Sequence, residues 1–88
     1  MNNLITSEVF EVGGQEYEVR AVSNGWGLRV LVFQGSCQVG LPYTVEQHVR
    51  SDFYAYFGVD ALYILMELAE LHVREDVAWH RLQFELCD

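Results

Sequence analysis

The chain has no lysine, one proline and only two cysteines among its 88 residues, and each shortage excludes something. Without lysine, five arginines face thirteen acids and the formal net charge is −8. A phosphate backbone must be neutralised by cations that this chain lacks, so direct binding to nucleic acid is not expected. Docking on an anionic membrane is disfavoured for the same reason. The all-arginine basic set (Arg20, Arg29, Arg50, Arg74, Arg81) reads as codon bias in a GC-rich bacterial genome. A functional reading would hold each guanidinium in a carboxylate fork, which lysine does less well.

Cys37 and Cys87 are too few for a disulfide framework. A lone pair, in a chain whose start lacks a basic region and an apolar run, reads as two free thiols in a reducing cytoplasm. Long hydrophobic runs are missing as well: the longest apolar block, Ala61 to Met66, is about a third of a membrane span. Catalytic contexts are also absent. Ser7, Ser23, Ser36 and Ser51 have no Gly-x-Ser-x-Gly setting, and Gly13-Gly14 precedes neither a lysine nor a helix. No cofactor motif is present, and an enzyme is unsupported.

What the chain does have is turns and aromatics. Gly13-Gly14, Asn24-Gly25 and Gly35-Ser36 recur at spacings of eleven residues, and each is a dipeptide suited to a tight hairpin. Taken as two-residue loops, they predict strands near 8–12, 15–23, 26–34 and 37–41, with Pro42 ending the sheet because it has no amide hydrogen to donate. The implied register aligns Phe10, Tyr17, Val32 and Val39 in one row, Val19, Val30 and Leu41 in a second, and Ala21 with Leu28 in a third. A slip of one residue at any turn would scatter these rows across both faces. Residues 1–7 read as a lead-in that frays.

Thr44, with Glu46 and Gln47 after it, predicts a capped helix over 45–57, stopped by Gly58. Its apolar residues Val45, Val49, Phe53, Tyr56 and Phe57 keep helical spacing. Asp60 would cap a second helix over 61–75. Leu62, Leu65, Met66, Ala69 and Val73 form its apolar face, Ile64, Leu68 and Leu71 flank that face, and Tyr63, Glu67, Glu70 and Arg74 form a polar stripe. Over 79–87, Leu82, Phe84 and Leu86 alternate as in a strand, while Ala78, Leu82 and Leu86 also match a helix. The fold expected is therefore a single α+β domain: a four-stranded antiparallel β-meander, then two α-helices packed on one sheet face, with the terminal segment as a candidate fifth strand.

Candidate sites are few. Glu46–Asp52 and Glu70–Asp76 share five of seven residues, so Glu and Arg, and His and Asp, stand four apart in each. The ordinary reading is surface ion pairs; the sharper one is a divalent metal held by His48, Asp52, His72 and Asp76. The sheet's second face carries Val9, Leu31 and Phe33, with Arg20 opposite Arg29 and Glu11 opposite Glu16. An apolar centre with a charged rim resembles an interface, unless the C-terminal segment folds over Leu31 and Phe33. The excess of aromatics and the wide apolar arc of the second helix agree with burial against a partner. The expectation is a small cytoplasmic protein acting by protein–protein interaction, most simply as a homodimer through Val9, Leu31, Phe33, Ile64, Leu68 and Leu71, with no cofactor. One alternative is an acidic inhibitor that mimics nucleic acid. Another is a small-ligand pocket lined by Tyr17, Trp26, Phe53 and Tyr56.

Overall fold

A computed structural model describes residues 3–75. Four antiparallel strands, β1 (Asn3–Val12), β2 (Gln15–Ser23), β3 (Gly27–Gln34) and β4 (Cys37–Glu46), form one sheet in the order of the chain. Helices α1 (Gln47–Phe57) and α2 (Ala61–Glu75) follow. The expected α+β meander is therefore present, while the candidate fifth strand over 79–87 lies outside the described residues.

The first hairpin is as predicted. Gly13 and Gly14 have φ of 57° and 81°, both positive as a type I′ turn requires, and Phe10 pairs with Tyr17. β1 begins earlier than expected. Asn3 to Ser7 do not fray but pair along Arg20 to Ser23, with Ile5 bulged between Leu4 and Thr6.

The second hairpin departs from the two-residue reading. Asn24 Oδ1 accepts the amide N–H groups of Trp26 (2.9 Å) and Gly27 (2.8 Å), and the Asn24 N–H donates to the Gly27 carbonyl at 3.0 Å. The side chain builds the turn itself, so the loop spans Asn24 to Gly27 and Ser23 pairs with Leu28. Every β2–β3 partner thus moves by two residues. Arg20 consequently faces Leu31, not Arg29, and the expected like-charge pair does not form. Because the shift is even, each side chain keeps its face.

A second even shift occurs in β4. The Gly35-Ser36 turn pairs Gln34 with Cys37 and Val32 with Val39, but Val30 then meets Tyr43. Gly40, at φ 75°, opens a bulge that carries Leu41 and Pro42 past the partner strand. Pro42 does not end the sheet: inside a bulge it owes the ladder no hydrogen bond. β4 runs on to Glu46, so Leu41 is exposed and Tyr43 takes its expected place beside Val30. The expectation of two free thiols involves Cys87, which lies outside the described residues.

The core lies between the sheet and α2. Phe10, Tyr17, Val19, Ala21, Leu28, Val30, Val32 and Val39 pack against Leu62, Met66, Ala69 and Val73, with Val12, Tyr43, Val45 and Leu65 at its margin. The helix face is the one its periodicity predicted. At close to 25 cal/mol per Å² of apolar area, burial of this kind is the main force holding the two layers together.

Candidate interaction surface

The extension of β4 determines how α1 sits. Thr44 and Val45 pair with Arg29 and Leu28 in the sheet, so neither enters the helix, and the expected Thr44 cap does not form. Glu46 occupies the cap position without a side-chain hydrogen bond, while the Gln47 N–H donates to the Trp26 carbonyl at 3.2 Å. Gly58 stops the helix as predicted: it is left-handed at φ 75°, and its N–H donates to the Tyr54 carbonyl at 2.8 Å.

A two-pronged ion pair joins α1 to the start of α2. Arg50 donates from Nε to Asp60 Oδ1 at 2.9 Å and from Nη2 to Oδ2 at 2.7 Å. The same Oδ1 accepts the Leu62 N–H at 3.1 Å, so Asp60 also caps α2 as its position predicted. The Arg50 hydrogen bonds hold the Asp60 carboxyl below its ordinary pKa against the opposing effect of burial, with the Leu62 amide and the Arg50 charge adding to the lowering. Those hydrogen bonds likewise raise Arg50.

Although anchored in this way, α1 buries none of its residues. Phe53 is half-buried and packs at a tilt against Phe57 with ring centroids 4.7 Å apart; Tyr56 adds a third ring 5.2 Å from Phe57. Tyr56 is 85% exposed and Phe57 63% exposed, with Val49, Tyr54, Val59 and Trp26 also open to solvent. The spacing of Val49, Phe53, Tyr56 and Phe57 had suggested a core face. The structure corrects this, because the helix starts after β4 has used the two residues that would have brought its first turn against the sheet.

α2 shows three faces. One is buried in the core. A second carries Tyr63, Glu67, Glu70 and Arg74, with Arg74 Nη2 donating to Glu70 Oε1 at 2.8 Å and the Arg74 guanidinium 5.7 Å from the Phe10 ring centre. On the third, Ile64, Leu68 and Leu71 stand 44%, 36% and 45% exposed at i, i+4 and i+7 spacing. These three line a groove of about 490 Å³ together with Glu67, Glu70 and Arg74.

The sheet's outer face is less open than its composition implied. Val9 is exposed, but Leu31 and Phe33 are half-buried. The Arg20 guanidinium lies 4.2 Å from the Phe33 ring centre while Nε donates to Glu18 Oε1 at 2.6 Å. Arg29 on the same face has a buried Nε without an acceptor among the described residues. The six interface residues expected from sequence therefore fall on two separate layers, Val9, Leu31 and Phe33 on the sheet and Ile64, Leu68 and Leu71 on α2. The aromatic surface of α1 was missed, although the Phe53-Tyr-Ala-Tyr-Phe57 run signalled it.

The other candidates are dispersed. His48 is exposed on α1 with Nδ1 3.3 Å from Glu46, whereas the His72 Nδ1 forms a hydrogen bond with the Tyr43 hydroxyl between α2 and β4. Asp76 lies outside the described residues, and among the described residues no group of three or more metal-ligating side chains converges. Tyr17 is in the core while Trp26 and Tyr56 are exposed, so the supposed ligand pocket is not assembled. A second cavity of about 320 Å³ lies between β1 and α2, lined by Thr6, Glu8, Tyr63, Met66, Glu67 and Glu70. Among the described residues no helix is long and apolar enough to cross a membrane. No protein-family model, curated protein or solved structure matches this chain.

Proposed function

We propose that this protein is an interaction module that works by binding protein, first of all a second copy of itself, through the exposed aromatic face of α1. The observation that carries the reading is a helix with three clustered rings and no buried residue. Exposing such a surface is costly in water, and aromatic residues are the ones enriched at protein interfaces. Electrostatics favour self-contact here over other faces. α1 carries only Asp52 and Arg50 besides His48, and Arg50 is engaged by Asp60, so two copies of a strongly acidic chain can meet on α1 with little charge repulsion.

Sedimentation equilibrium tests this directly. The wild-type chain is expected to dimerise, and Tyr56→Glu with Phe57→Glu to give a monomer with an unchanged fold. A wild-type chain that stays monomeric at high concentration would end the homodimer reading. Against nucleic-acid mimicry, the exposed acids among the described residues are spread over the sheet (Glu8, Glu11, Glu16, Glu46), α1 (Asp52) and α2 (Glu67, Glu75) and form no single stripe.

A further inference from the structure

We propose that the outward groove of α2 is a second, independent docking site whose occupant is a basic amphipathic helix of another protein. Its floor is Ile64, Leu68 and Leu71, one residue per turn, which is the spacing at which a helix presents apolar anchors to a partner helix. The rim selects the partner. Glu67 is exposed, and Glu70 and Arg74 neutralise each other, so the groove keeps one uncompensated carboxylate on its rim, on a chain of net charge −8.

A helix carrying leucines at i, i+4 and i+7 with lysines or arginines beside them complements both features. A second copy of this chain does not, because it would bring the same carboxylates against the rim. The groove is thus distinct from α1 in chemistry as well as in place. α1 offers nearly uncharged aromatics and α2 an apolar channel edged with acids.

Two synthetic helical peptides of equal length test the assignment by fluorescence anisotropy against the full chain, one with leucines at i, i+4 and i+7 flanked by lysines, the other identical but flanked by glutamates. The lysine peptide is expected to bind saturably, to weaken as salt rises, and to lose about tenfold or more in Kd on Leu68→Asp. Glu67→Lys, an exposed change that leaves packing untouched, is expected to weaken it several-fold while the thermal melt stays the same. Failure of the lysine peptide to bind, equal binding of the glutamate peptide, or indifference to Glu67→Lys would each overturn the proposal. So would a homodimer that Leu68→Asp dissociates, since the groove would then belong to a second copy.

Discussion

Replacing Asp60 by Ala should be among the most damaging single changes outside the core, because one carboxylate serves two elements. Asp60 and Arg50 side chains are only 26% and 21% exposed, so their attraction is screened less than that of a surface pair. Losing a helix cap costs about 1 kcal/mol. Breaking a two-pronged, partly buried ion pair adds roughly 1–2 kcal/mol. The sum, about 2–3 kcal/mol, would lower Tm by on the order of 10–20 °C in a domain of this size. Asp60→Asn keeps an acceptor for the Leu62 N–H and should cost about half as much, and Arg50→Lys loses the fork but keeps the charge. A double-mutant cycle with Arg50→Ala should give a coupling of about 1–2 kcal/mol.

The pH dependence has a fixed sign. The carboxyl is held below its ordinary value in the folded state, so its contribution is fully present above the unfolded-state pKa of about 4 and is lost as pH falls through the lower folded value. The wild-type advantage over Asp60→Asn should therefore be constant near neutrality and disappear in acid. A coupling indistinguishable from zero in chemical denaturation, or an advantage that survives full protonation, would refute the reasoning.

Gly27→Ala should lower stability by about 1–3 kcal/mol in urea unfolding, because a Cβ there would stand 2.2 Å from the Val45 carbonyl oxygen and force apart the loop and the β4–α1 junction. Leu62→Ala, at a fully packed position between α2 and the sheet, should cost about 2–4 kcal/mol by the same measurement. Arg29→Met should be neutral or slightly stabilising, since it removes a buried Nε that has no acceptor among the described residues; a loss above about 1 kcal/mol would show that the guanidinium is satisfied.

How far the sequence could be read depended on parity. The turn dipeptides placed every strand, and the apolar alternation assigned Val19, Ala21, Val30, Val32 and Val39 to the helix side, where they are buried. The row partners came out differently, because Asn24 supplies its own turn through Oδ1 and Gly40 opens a bulge. Both errors were of two residues. Faces survive an even slip and cross-strand partners do not, which is why the core was legible while the expected Arg20–Arg29 pair does not form. The α2 faces were legible because a long amphipathic helix averages over many positions.

The interface reading changed because one proline was misjudged. Read as the end of the sheet, Pro42 would hand Val45 to the first helix and turn that helix's apolar spacing toward the core. Seated in the Gly40 bulge instead, it lets β4 continue through Tyr43, Thr44 and Val45, whose pairing with Val30, Arg29 and Leu28 takes those side chains into the sheet. The helix that remains begins at Gln47, is anchored by its first amide and by the Arg50–Asp60 fork, ends at the Gly58 cap, and leaves its rings outside the core. Those anchors set its orientation without burying it. A helix fixed through its first turn to the Trp26 carbonyl and to Asp60, and apolar along its open side, is already organised before a partner arrives, so binding there forfeits little conformational entropy.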